Sequence, residues 1–486
     1  YIDFDGVPCH INQTLFKQQL REQNGYQGLV MADGIALDRL NDVFPTPNEA
    51  AAQALEAGID LSLWDDTYTT IEEGVLSQII DEAALDQAVE HVLAIKFLLG
   101  LFEHPYVDDP CAAWDELMAE SQQLNRQIAE ESLTLVKNNG ILPLANTPRR
   151  LAVIGPNADQ LYNLLGDYSA PQKGPILQNT VYQAIQSHYT QSEVVYAQGC
   201  EVRNQENQEA KIQEALHTAK GADVIIAVLG GSSARNFDMT FLQNGAVSSK
   251  GINMDSGENV DVASLSLGGR QQELLQQLSQ LGKPIISILI QGRPYDLTLV
   301  QQVSDAVLIA WFPGQEGAQA IANTLSGDNN PSGRLSVSYP RNAQQLPVYY
   351  YQRAASKQDD YYDLSGSPLL PFGLGLSYTH FAYRDLQVTP AIDNVTISVK
   401  VKNTGSCSGK ISTLLFVKLF GGSVIQRTKL LKAFDKDLLQ PQEEKTVTFR
   451  LEPQDFTYMD VDFTCRYAKY AEIMVDQLTD KMDCIW

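Results

Sequence analysis

The apolar pattern of this chain changes character once, near Ser377, and that change limits the fold more than any single motif. Before it, short apolar runs at residues 29–31, 59–63, 151–154, 224–229, 285–290 and 306–310 are separated by glycine turns and by stretches of helical spacing. Such alternation builds β/α units around parallel strands. The spacing predicts helices over 15–22, 48–56, 81–99 and 124–135. In the third, Ala84, Leu85, Ala88, Val89, Val92 and Ile95 form a face expected to pack on a sheet. After Ser377 helical spacing disappears, and alternating segments such as 395–401 and 446–451 stand between turns, as in a β-sandwich. A chain of 486 residues also exceeds what one core holds, roughly 250 residues, so several domains are expected.

Charge narrows the partners. Lys and Arg number 35 against 59 Asp and Glu, a formal charge of −24 that repels nucleic acid and anionic membrane surfaces but not a neutral ligand. No apolar run approaches the roughly 18 residues needed to span a bilayer, and the first residues lack the features of a signal peptide. The start on Tyr1-Ile2-Asp3-Phe4, without an initiator Met, is that of a sequence cut from something longer. Six cysteines lack metal-ligand spacing, which points to reduced thiols and a cytoplasmic setting, with a Cys465 to Cys484 bridge left open. The histidines are dispersed, and neither a metal nor any other cofactor is expected.

Two carboxylates stand where chemistry is possible. Asp33 follows the run 29–32 and precedes Gly34, at the carboxyl end of a parallel strand, where β/α barrels place catalytic groups; the alternative is a turn aspartate. Glu258 lies in the polar loop Met254-Asp255-Ser256-Gly257-Glu258-Asn259-Val260-Asp261, as a solvated loop acid or as a catalytic acid. Glycoside hydrolysis uses two such groups, one at the anomeric carbon and one at the leaving oxygen. Gly230-Gly231-Ser232-Ser233 lacks the spacing of a phosphate cradle.

Taken in order, these segments resemble the family 3 glycoside hydrolases of the β-glucosidase type. The resemblance is carried by Gly25-Tyr26-Gln27-Gly28-Leu29-Val30-Met31-Ala32-Asp33-Gly34, Ser256-Gly257-Glu258, Gly292-Arg293-Pro294, Trp311-Phe312-Pro313-Gly314-Gln315-Glu316-Gly317, Pro331-Ser332-Gly333-Arg334-Leu335 and Phe372-Gly373-Leu374-Gly375-Leu376-Ser377-Tyr378-Thr379. It spans nearly the whole chain and implies an α/β multidomain protein. Residues 1–106 would form the C-terminal part of a (β/α)8 barrel, 107–149 a linker and connecting helix, and 150–345 an α/β sandwich domain. Residues 346–379 would connect this to a fibronectin-III-like β-sandwich at 380–486. The resemblance implies a retaining exo-β-glycosidase releasing terminal glucose or xylose, with Asp33 as nucleophile, Glu258 as acid/base and the two about 5 Å apart. It also places Tyr1, Ser232 and Arg235 at the substrate cleft, Arg235 equally as a tie for the long loop. A small glycoside or oligosaccharide is the expected partner, and a homo-oligomer stays open.

Three positions depart from the family. Gly34 replaces an aromatic, Val262 replaces an arginine that often follows Asp261, and about 200 residues that would form most of the (β/α)8 barrel are not in the sequence. The competing expectation is therefore a non-catalytic fragment, or a product that only binds carbohydrate or a partner.

Overall fold

The computed structural model describes residues 2–107, 114–144, 148–169, 179–235, 240, 242, 248, 253–353 and 360–486. The chain divides into two compact units, one of residues 1–117 with 240–247 and one of 118–239 with 248–486.

In the first unit, strands β1 (Met31–Gly34) and β2 (Leu61–Leu63) run parallel, with Met31 opposite Leu61 and Gly34 opposite Leu63. Helix α1 (Pro47–Ala57) crosses between them. Its start is written in the sequence: the Thr46 hydroxyl accepts the Glu49 N–H, Pro47 takes the first helical position, and Gly58 ends the helix at φ +98°. The alanines of α1 meet Leu37, Leu40 and Ile59 on one side and, with Leu55 of the same helix, Ile80 and Ala88 on the other. Residues 15–22, expected to be α-helical, lie in a π-helical segment, Thr14–Gln23. Helix α2 (Glu82–Leu98), capped by Asp81, has the predicted extent but not the predicted burial. Only Ala88 of its apolar face is buried, against α1 rather than a sheet, and Val89 is exposed.

The second unit opens with α3 (Trp114–Ser132), most of which it contains, and β3 (Thr134–Asn138). Here the structure corrects the expectation of a helix to residue 135 and of a linker through 149. The Thr134-Leu135-Val136 run, rich in β-branched residues, leaves the helix and pairs antiparallel with the strand Ala306–Trp311 as an edge of the main sheet. The remaining strands are β4 (Arg150–Ile154), β5 (Glu193–Ala197), β6 (Val224–Gly230), β7 (Ile285–Ile290) and β8 (Ala306–Trp311). These five run parallel to one another, and with antiparallel β3 at one edge the sheet order is β3-β8-β7-β6-β4-β5. Both faces of β6 and β7 are buried, one against Leu164, Ile185 and Ile321 and the other against Ile212, Leu274 and Leu278. That is the three-layer arrangement. From β4 the chain steps outward to β5 and then returns to the other side at β6, so the strand order reverses between β4 and β6.

The last part is a sandwich of a three-stranded sheet, β9 (Phe381–Pro390), β10 (Val395–Asn403) and β13 (Glu444–Leu451), and a four-stranded sheet. The second sheet holds β11 (Gly409–Phe420), β12 (Leu430–Leu439), β14 (Tyr470–Val475) and β15 (Leu478–Asp483). Val395, Ile397, Val399 and Val401 alternate inward to meet Leu415, Val417 and Ile473. Cys465 and Cys484 are free thiols, so the bridge left open by the sequence is not formed. Among the described residues no helix is long and apolar enough to cross a membrane, and no three ligating side chains cluster for a metal.

Candidate active site

Asp33 is the third residue of β1, and its side chain shares a side with exposed Met31, whereas Ala32 points into the core. The carboxylate is exposed, and Oδ1 accepts the Gly34 N–H at 2.8 Å. Gly34 is the position where the family carries an aromatic, and the structure shows the space taken: a Cβ there would sit 3.1 Å from the Trp64 ring. Trp64, 60% exposed, thus sets its indole against Gly34 from the end of β2. The floor beneath is fixed by buried carboxylates. Asp60 accepts from Arg21 at 2.7 Å and from the Val30 N–H at 2.8 Å, and lies 2.7 Å from His91 Nδ1. Asp65 accepts the Leu37 N–H at 2.7 Å. These bonds hold both ends of β1. Tyr1 lies outside the described residues.

In the second unit, Glu258 stands on a loop built over the carboxyl ends of β4 and β6, at the reversal of strand order, where open α/β sheets form their binding crevices. The loop after β6 begins with Gly231, where only a glycine fits: a Cβ would lie 2.0 Å from the Tyr295 hydroxyl and 2.6 Å from Asp255 Oδ1. Asn157, after β4, donates to Leu229 O and Gly231 O and receives a 2.7 Å bond from Asn163. Ser232, expected at the cleft, is 1% exposed. Its hydroxyl donates to Asn163 at 2.7 Å and accepts the Ala234 N–H, its N–H donates to Asp255, and its carbonyl accepts the Asp255 N–H. Ser232 ties the two loops together beneath the surface. Tyr295 also donates to Asp255, at 2.5 Å, and burial with that neighbouring charge pushes its own pKa upward.

On this base Gly257, Glu258, Asn259 and Val260 form a tight turn closed by the Val260 N–H on Gly257 O at 3.1 Å. Gly257 takes φ +128°, and a Cβ there would strike Met254 at 2.5 Å. The Glu258 carboxylate, 37% exposed, accepts from Arg235 Nη2 at 3.0 Å and from the Tyr168 hydroxyl. Arg235 also pairs with Asp167 through Nε at 2.8 Å and lies 4.3 Å above the Tyr168 ring. Asp167 accepts the Glu258 N–H at 3.3 Å, which closes the circuit. Although burial alone lowers the Arg235 pKa, its pairing with Glu258 and Asp167 raises it on balance, and the bond to Glu258 raises that of Tyr168. Arg235 and Glu258, both singled out by the sequence, are therefore in direct contact.

Asp167, Tyr168 and Arg293 were not legible. The first two follow Gly166 in a turn, Asp167 standing 68 residues from Arg235, and carry no motif of their own. Arg293 reaches Asp261 at 2.6 Å and supplies the partner that Val262 cannot. Only its place in Gly292-Arg293-Pro294 hinted at a role.

Comparison with known proteins bears on these placements. Residues 1–95 match the glycosyl hydrolase family 3 N terminal domain, 133–378 the glycosyl hydrolase family 3 C-terminal domain, and 413–475 a fibronectin type III-like domain. A β-xylosidase of Formosa agariphila is 32% identical over 95% of this chain and 64% of its own length. The periplasmic β-glucosidase of Salmonella typhimurium is 32% identical over 92% of this chain and 61% of its own. Among solved structures, a β-glucosidase from Erythrobacter marinus superposes with a TM-score of 0.86 at 33% identity, covering 98% of this chain and 66% of that one. The β-glucosidase of Listeria innocua in complex with glucose gives 0.85 at 28% identity, over 98% and 65%. The chain thus spans less than two thirds of the length of these relatives. With one domain match alone covering half the sequence, the chain belongs to glycosyl hydrolase family 3.

Proposed function

We propose that the protein is a retaining exo-β-glycosidase that releases terminal glucose or xylose from β-linked oligosaccharides. The observation that carries this reading is a pair of carboxylates, each presented at the carboxyl ends of parallel strands: Asp33 on β1 and Glu258 on the loop over β4 and β6. The relatives' being a β-xylosidase and a β-glucosidase supports the substrate class.

An Asp33 oxygen attacks the anomeric carbon as the bond from that carbon to the leaving oxygen breaks, and Glu258 gives its proton to that oxygen. The sugar is then an ester of Asp33. Glu258, now a carboxylate, takes a proton from water while the water oxygen attacks the anomeric carbon; the ester breaks and Asp33 is restored. Arg235 and Tyr168 fix the direction of the Glu258 carboxyl, and Asp167 fixes Arg235.

The test is hydrolysis of nitrophenyl β-glucoside and β-xyloside by this chain and by its Asp33→Asn and Glu258→Ala variants. Each variant should lose a factor of at least about 100 in kcat. Azide should restore turnover to Glu258→Ala, since a small anion needs no general base. Release unaffected by either substitution would refute the assignment, and no release by the parent chain would favour the binding-only alternative.

A further inference from the structure

Far along the chain from both carboxylates, a cleft of about 730 Å³ opens in the second unit between residues 338–352 and 360–372 on one side and the sandwich strand β11 with the loop that follows it on the other. It is built deliberately by the chain: Tyr350 stacks on Phe372 at 4.0 Å, its hydroxyl accepts the Leu431 N–H at 3.3 Å, and Gln352 O accepts the Thr428 N–H at 2.7 Å. One wall is aromatic. Tyr349, 54% exposed, stacks on Tyr351 with centroids 5.1 Å apart, and Arg427 backs Tyr351 at 4.8 Å. The other wall is cationic. Lys429 is half-buried 4.7 Å from the Phe416 ring, and Lys418 lies 4.9 Å from Phe420.

Neither lysine forms an ion pair among the described residues, in a protein of net charge −24. Burial pushes the Lys429 pKa down with no acid to offset it. The acid in the cleft, Asp360, is engaged by the Ser365 hydroxyl at 3.0 Å and the Gly366 N–H at 2.8 Å. A half-desolvated ammonium without an anionic partner costs stability unless a ligand completes it. A neutral glycan would use the ring face and leave the lysines idle; a simple anion would do the reverse. The combination fits a molecule with both an apolar ring face and a carboxylate.

We propose that this cleft binds an acidic oligosaccharide, with one pyranose stacked on Tyr349 and a uronate carboxylate held by Lys429 and Lys418. The choice of a sugar among ring-bearing acids rests on the glycosidase reading. The test is calorimetric titration of the Asp33→Asn chain, which cannot turn ligand over, with three probes: xylotetraose bearing one glucuronic acid, plain xylotetraose, and benzoate. The substituted sugar should bind at least about tenfold more tightly than either other probe, and Lys429→Gln and Tyr349→Ala should each remove about tenfold in affinity. Lys418→Gln gives a second lysine variant that guards against a folding defect in Lys429→Gln, and the melting temperature should fall in none of the three. Equal binding of the plain and substituted sugars, preference for benzoate, or affinity indifferent to Lys429→Gln and Lys418→Gln would overturn the proposal. Hydrolysis by the parent chain is read separately, so loss of the glycosidase reading and loss of this one are distinguishable.

Discussion

Asp65 is buried with Oδ1 bonded to the Leu37 and Asp38 N–H groups and Oδ2 without a hydrogen-bond partner among the described residues. Burial raises its pKa above the ordinary 3.8, the backbone donors working against that rise. Below 3.8 the group is protonated in both folded and unfolded chains. As pH rises, the unfolded chain loses its proton first, so this residue makes stability fall until the folded carboxyl also ionises. Asp65→Asn should remove that fall. Urea midpoints taken between about pH 4 and pH 7 check it, and parallel slopes for parent and variant would sink the idea. At the Glu258 loop, Tyr168 is 72% exposed and donates to Glu258. Tyr168→Phe should therefore leave the melting temperature within a degree or so yet lower kcat/KM about tenfold, the worth of one charge-assisted bond. A loss confined to stability would show that the tyrosine only packs.

At the scale of elements, the end of α3 is fastened to the sandwich by one carboxylate. Glu131 receives Lys410 of β11 and Lys436 of β12, the latter at 2.9 Å. Burial would raise the Glu131 pKa, but the two ammonium donors outweigh it and hold it at about 2. The stabilisation is complete above the ordinary value of 4.5 and is lost as pH falls toward about 2. Glu131→Gln should cost about 1 to 2 kcal/mol at pH 7 and nothing near pH 2, measured by denaturant unfolding. The same elements show what the sequence could convey. Strands β6, β7 and β8 were legible because burial on both faces makes them continuous apolar runs. β5 was not, since it sits at the sheet edge and begins on exposed Glu193. β3 was hidden because α3 runs into it across a single residue, Leu133, with no glycine or proline between. Asp33 could be placed from its strand, whereas the contact of Glu258 with Arg235 and Tyr168 depends on loops that only the folded sheet assembles.

At the scale of the whole molecule, the two units differ in how much apolar surface they bury. The cores of the first are mostly alanine with a few large side chains, and its parallel sheet has two short strands. Phe97, Leu98, Leu99 and Phe102 at the end of α2 and beyond remain exposed. The six-stranded sheet of the second unit, by contrast, is packed on both faces by isoleucine, leucine and valine. Because stabilisation scales with buried apolar area, at roughly 25 cal/mol per Å², and two-stranded sheets are marginal by themselves, the first unit should open at lower free energy. Hydrogen exchange followed by mass spectrometry should find the amides of Met31–Gly34 and Leu61–Leu63 exchanging at least about tenfold faster than those of Val224–Gly230 and Ile285–Ile290. Urea should open the first unit in a separate, earlier transition. Uniform protection and one shared transition would mean that the two units unfold as one. A sugar analogue bound at Asp33 should then slow exchange in β1 and β2 selectively, because a ligand that binds only the folded unit raises its opening free energy by RT ln(1 + [L]/Kd).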